Sequence, residues 1–97
     1  MARFHVYQFG NEIALDIQAN LLDALHTRVV VPLVPESEMK RIAVRLNPRF
    51  EINGVDYVMM TEFLAAVPAT ELGARIADLS ARADEIVAAT DFLFQGF

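Results

Sequence analysis

The chain has 97 residues, no cysteine, a net charge of −5 and a 55% hydrophobic composition. These figures exclude disulfide and thiol chemistry, leave room for one domain with one core, and argue against direct nucleic-acid binding, which needs a basic face to displace counterions. The apolar runs 29–34 and 63–67 are far shorter than a membrane span, and Met1-Ala2-Arg3-Phe4-His5 holds no signal-peptide core. A soluble cytoplasmic protein without a membrane partner is therefore expected. So much apolar surface on a small chain also points to a homodimer.

In chain order, Arg3 to Phe9 alternates, with Phe4 and Val6 facing one way and Arg3, His5 and Tyr7 the other, which is the period of a strand. Gly10-Asn11-Glu12 supplies a turn. Ala14 to Ala19 alternates again, with Leu15, Ile17 and Ala19 opposite Asp16 and Gln18, so the two segments form a hairpin. Asn20-Leu21-Leu22-Asp23 breaks the alternation. Adjacent leucines in an extended segment face opposite ways, and the plain expectation is that they fill two separate small clusters. Arg28 to Val34 is a continuous apolar run, as in a central strand covered on both faces. Pro32 cannot donate to a ladder, so the strand must bulge or meet an edge there.

Pro35 to Met39 is a polar loop. Residues 40–49 then hold half of the eight basic residues, with Ile42, Val44 and Leu46 alternating against Arg41 and Arg45. This pattern predicts a half-buried strand with a solvated basic face. Asn53-Gly54, between Phe50–Ile52 and Val55–Met60, is the strongest local signal, because both residues accept the positive φ of a type I′ turn. Glu62 to Val67 is apolar and ambiguous by period, and Pro68 stops it before helix length. Ala69 to Asp78 reads as a connector of unassigned form.

The last stretch, Ser80 to Phe97, predicts a helix. Ala83, Ile86, Val87, Leu93, Phe94 and Phe97 fall on one stripe about 120° wide, shared by Leu79 and Thr90. Ser80 is the expected N-cap, and Asp84 and Glu85 sit near the positive end of the dipole. No Lys or Arg follows Arg82, so Asp91 lies near the negative end with no cation from its own element. Crowded strands followed by one helix predict a mainly β fold, a strongly bent, barrel-like antiparallel sheet with a C-terminal helix across it.

Motifs for chemistry are sparse. His5 and His26 stand at no metal-ligand spacing, the glycines are scattered, and neither a metal nor a cofactor is expected. His5 reads as a hydrogen-bonded sheet histidine. By motif the chain is a binder and not an enzyme.

The segments Phe4-His5-Val6-Tyr7, Asp16-Ile17-Gln18, Leu21-Leu22-Asp23, Arg28-Val29-Val30-Val31-Pro32-Leu33 and Tyr57-Val58-Met59-Met60-Thr61 together resemble the CcdB-type toxins of toxin–antitoxin pairs. So do Ala66-Val67-Pro68, Gly73, Ile76-Ala77-Asp78-Leu79-Ser80 and Phe94-Gln95-Gly96-Phe97. The resemblance spans nearly the whole chain, as a single toxin domain over residues 1–97. It implies an SH3-barrel-like sheet with a minor second sheet, and a homodimer that binds the A subunit of DNA gyrase and traps it on cleaved DNA. It also implies neutralisation by a partly disordered, CcdA-like antitoxin. Carried over by position, the gyrase-binding residues are Leu21, Leu22, Asp91, Phe94, Gln95, Gly96 and Phe97. Leu93 and Phe97 are expected at the dimer interface. Lys40, Arg41, Arg45 and Arg49 are expected to attract an acidic antitoxin tail. The family typically ends in Trp-Gly-Ile, whereas this chain ends in Gln95-Gly96-Phe97, which removes a large apolar anchor. Two alternatives stay open: a toxin decayed to inactivity, and an endoribonuclease of the MazF or Kid type, which shares the fold. The nuclease would use the basic cluster for charge and His5 or Glu51 for proton transfer.

Overall fold

Seven strands and one helix follow one another along residues 1–97, all of which the computed structural model describes. The strands are β1 (His5–Phe9), β2 (Glu12–Asp16), β3 (Thr27–Pro35), β4 (Arg49–Ile52), β5 (Val55–Met59), β6 (Ala65–Pro68) and β7 (Arg75–Asp78), and the helix is α1 (Ala83–Gln95). They form one curled antiparallel sheet in the order β4-β5-β3-β2-β1-β7, with β6 branching from β3. No separate minor sheet forms, because β6 finds its partner on β3 itself.

The branch explains Pro32. One edge of β3 pairs with β2, whereas the other pairs with β6 over Thr27–Val30 and with β5 over Leu33–Pro35. The Pro32 carbonyl accepts the Met60 N–H at 3.0 Å. The N and C=O of one strand residue face the same edge, so the missing donor of Pro32 faces the gap between β6 and β5, where no ladder bond is needed. The β4–β5 hairpin forms as its turn residues require, with φ of 52° at Asn53 and 81° at Gly54.

Both faces of the sheet are covered. On the inner face Val6, Leu15, Val31, Leu33, Phe50 and Met59 pack with Leu79, Ile86 and Ala89 from the helical end of the chain. On the other face Tyr7, Ala14 and Val30 pack with Leu72, which arrives in the segment between β6 and β7. That second cover changes the fate of Asp16 and Gln18. Both share a face with Ala14, and they are buried rather than solvated.

Residues 40–48 do not make the expected strand. The Leu46 and Asn47 N–H groups both bond back to the Ala43 carbonyl, which closes a turn. The buried Asn47 side chain fixes it, accepting from the Ala43 N–H at 3.1 Å and donating to the Met59 carbonyl at 3.1 Å and to Glu62 at 2.8 Å. The Leu21–Leu22 pair also departs from expectation. Asn20–Leu22 is a short 3-10 turn, and neither leucine fills a cluster. Residues 69–78, left unassigned above, supply β7 as the partner of β1.

The helix begins with a 3-10 turn at Ser80–Arg82, and no Ser80 side-chain cap forms. Asp78 does that work instead, its carboxylate accepting the Ser80 N–H at 2.9 Å. Ile86 and Ala89 are buried, while Ala83, Val87, Thr90 and Leu93 are half-buried. Phe94 and Phe97, expected on the same stripe, stay exposed. No helix is long and apolar enough to cross a membrane.

Candidate target-binding surface

Residues 19–27 contain no buried side chain. Leu21 is 94% exposed and Leu22 48%, and Leu25 beside them, which sequence reasoning passed over, is 50% exposed. Exposed leucines in an ordered turn contribute little to folding, so their placement needs another explanation. The second exposed apolar group is the helix tip, with Phe94 at 71% and Phe97 at 76%. Gly96 closes the helix in the left-handed conformation, φ 81°, its N–H bonding the Phe92 carbonyl at 2.9 Å. A residue with a Cβ would be strained there. Asp91 is exposed and makes no ion pair, and Gln95 is exposed as well.

Arg3 ties the two groups together. Its N–H donates to Asn20 Oδ1 at 2.8 Å and its Nε to the Ile17 carbonyl at 3.1 Å. The same side chain lines a pocket of about 220 Å³ with Ile17, Val29, Leu64 and Phe94. The helix end is thus less anionic than its own sequence suggested. A second cation reaches it from the far side, where the Arg45 guanidinium lies 4.3 Å from the Phe92 ring centroid.

That contact changes the reading of the basic cluster. Arg45 is spent on Phe92, and Arg49 holds Glu36 through Nη1 at 2.7 and 2.8 Å. The bond to Glu36 raises the Arg49 pKa further above its ordinary value. Lys40 and Arg41 alone of the four are exposed without an ion-pair or ring partner. Arg49 also borders an open groove of about 670 Å³ with Phe50, Glu51, Asp56, Arg82 and Glu85. Arg82 and Glu85 are paired at 2.6 Å, which raises the arginine pKa and lowers the glutamate's. His5 is remote from Glu51 in the sheet, on β1 rather than β4, and its Nε2 lies 3.5 Å from Asp78. The two proton-transfer candidates therefore do not form one site. No cluster of three or more potential metal ligands occurs.

A curled antiparallel half-barrel crossed by one C-terminal helix is the fold of a class of small toxins from toxin–antitoxin systems. Within that class the match is specific: residues 3–96 match the family described as CcdB protein, and the chain belongs to the CcdB family. An antitoxin is its partner. The fold is also shared with an endoribonuclease in complex with its cognate antitoxin from a mycobacterial species. That match has a TM-score of 0.80 at 16% identity and covers 97% of this chain and 94% of the other. A second mycobacterial endoribonuclease matches with a TM-score of 0.81 at 15% identity, over 97% and 90%. These matches overturn the expectation that the chain is not an enzyme. The same fold carries RNA-cleaving enzymes there, so a lack of familiar motifs was no ground for excluding one.

Proposed function

We propose that this toxin, as a homodimer, binds the A subunit of DNA gyrase and holds the enzyme on cleaved DNA until a CcdA-like antitoxin removes it. Leu21, Leu22, Asp91, Phe94, Gln95, Gly96 and Phe97 form the gyrase-binding surface, with Leu93 and Phe97 at the dimer contact. The observation that carries the reading is the exposure of Leu21, Phe94 and Phe97, at 94%, 71% and 76%, in ordered segments where folding does not account for it. Lys40 and Arg41 are the positions left free to steer an acidic antitoxin tail, with Arg45 and Arg49 available once their internal partners are displaced.

The test is growth arrest on induced expression, paired with gyrase-dependent accumulation of cleaved plasmid in vitro. Deleting Gly96 and Phe97 abolishes both; exposed terminal residues contribute little to the fold of one chain, so the melting temperature falls only by what the loss of Phe97 from the dimer contact removes. Arrest that survives the deletion, with intact DNA and fragmented RNA, supports a second reading as an endoribonuclease. The groove at β4 favours that alternative, because Glu51 there stands beside Arg49 and Arg82, which a phosphate would have to draw from Glu36 and Glu85, and could act as a base. Glu51→Gln then abolishes RNA cleavage.

A further inference from the structure

The loop between β2 and β3 has no buried side chain over residues 19–27, so apolar packing cannot hold it in one conformation. Polar groups from the core do so. Asp16 is 0% exposed and Arg28 1%; the ladder partner of Asp16 is Val30, and Arg28, two residues before it on β3, reaches diagonally across, its Nε donating to Asp16 Oδ2 at 2.8 Å. Arg28 Nη2 lies 2.6 Å from the same oxygen, an ion contact at an angle that makes no hydrogen bond. Asp16 Oδ1 accepts the Gln18 N–H at 2.9 Å, which completes the carboxylate's partners. From this buried pair two arms reach outward. Gln18 accepts the Val29 N–H at 3.1 Å and donates to the Leu22 carbonyl at 3.0 Å. Arg28 donates through Nη1 to Asp23 Oδ1 at 3.0 Å.

We infer that Asp16, Gln18 and Arg28 are a positioning clamp that fixes the Leu21–Leu22 turn for target binding, and that Asp23 is its outer jaw. A charged pair costs more to bury than to leave in water, and an apolar pair of similar volume would serve the core as well or better. What an apolar pair could not do is grip a solvent-exposed turn at a carbonyl and at a carboxylate. The clamp lowers the entropy that the two leucines would otherwise lose on docking, which is affinity gained by preorganisation. The inference rests on the proposed role of Leu21 and Leu22 in target binding.

Asp23 makes the test possible, because it is exposed and can be changed without opening the core. In Asp23→Ala, amide hydrogen exchange at Leu22 and Leu25 rises about tenfold, whereas exchange at Leu15 and Val31 stays as in the parent. Affinity for the gyrase A subunit falls about fivefold to tenfold, and the loss caused by Leu21→Ala becomes smaller in the Asp23→Ala background than in the parent. Asp23→Asn, which keeps an acceptor oxygen for Arg28, restores most of both. Unchanged exchange in the loop overturns the clamp. Faster exchange with additive losses in the double mutant overturns its role in binding, and an Asn variant as weak as the Ala variant assigns Asp23 a direct charge contact with the target instead. If the parent does not bind gyrase, the proposed target fails separately. Growth arrest then replaces affinity as the readout, and an Asp23→Ala toxin that arrests growth at the parent's expression level overturns the inference.

Discussion

At the junction of β7 and α1, the Asp78 carboxylate accepts the Ser80 N–H at 2.9 Å, and His5 Nε2 lies 3.5 Å from its other oxygen. Bonding to the side chain and then the backbone of Ser80 holds the Asp78 pKa below its ordinary value, helped by the charges of His5 and Arg75. A carboxylate depressed in the folded state adds stability above its unfolded pKa of about 3.9 and loses it as pH falls through the folded value. Asp78→Asn therefore lowers the thermal midpoint at neutral pH, and the gap between parent and variant closes as pH falls below about 4. A pH series of melting curves checks this, and a constant gap contradicts it. At the other end of the helix a single residue limits the proposed contact. Gln95 is exposed and offers hydrogen bonds but little apolar area, where the resemblance noted in the sequence implies a Trp. Gln95→Trp raises affinity for the gyrase A subunit, by about 2 kcal/mol where the indole is buried at the contact centre. Titration against cleaved-plasmid yield reads the shift, and equal potency of variant and parent removes Gln95 as the limit.

Asn47 shows at the level of elements why a sound pattern gave no strand. Ile42, Val44 and Leu46 do alternate, yet Val44 is 83% exposed because the chain turns at Ala43–Asn47. The partners that fix the turn, Met59 and Glu62, lie 12 and 15 residues further on, outside any local window. Asn47→Ala leaves the buried Met59 carbonyl without this partner and removes the bond that holds Ala43, and costs about 1–3 kcal/mol in urea unfolding. A loss below about 0.5 kcal/mol would mean that the turn does not depend on Asn47. The same logic separates what the sequence disclosed from what it hid. Asn53-Gly54 and Pro32 were legible because each constrains its own backbone, and the helix stripe was legible where Ile86 meets the sheet. The alternation puts Asp16 and Gln18 on the face opposite Leu15, and nothing near them announces that Leu72 and its segment cover that face. Phe94 and Phe97 share the angle of the packed stripe and are nevertheless exposed, because periodicity gives the angle around a helix but not how far along it the packing extends. For the candidate surface, the break in alternation at Leu21 and Leu22 was the only local sign, and the family resemblance gave the pair a purpose. Arg3 and the Arg28 clamp carried no local signal at all.

As a whole the chain is as compact as a folded monomer of its length, with a Cα radius of gyration of 12.5 Å against about 12.5 Å expected. Its accessible surface of 5934 Å² nevertheless exceeds the roughly 5,500 Å² typical of a 10.8 kDa protein. Large apolar side chains, among them Phe63, Phe94 and Phe97, are part of that surface. The last turn of the helix, with Leu93 half-buried and Phe97 exposed at its end, is a suitable place to bury some of this area against a second copy. The proposed homodimer predicts a light-scattering mass of twice 10.8 kDa at micromolar concentration and a melting temperature that rises with protein concentration. Leu93→Lys places an unpaired charge at the contact and shifts the mass to that of one chain, at a cost of several kcal/mol of association energy. A parent protein that scatters as a monomer refutes the dimer. Phe97 is assigned to both surfaces and Phe94 to the target surface alone, so the two roles can be separated. Phe94→Ala weakens gyrase binding and leaves the mass unchanged, whereas Phe97→Ala lowers both. A Phe94→Ala toxin that also falls apart into single chains would mean that the helix tip serves self-association first, and that the target surface must be sought around Leu21 and Leu22.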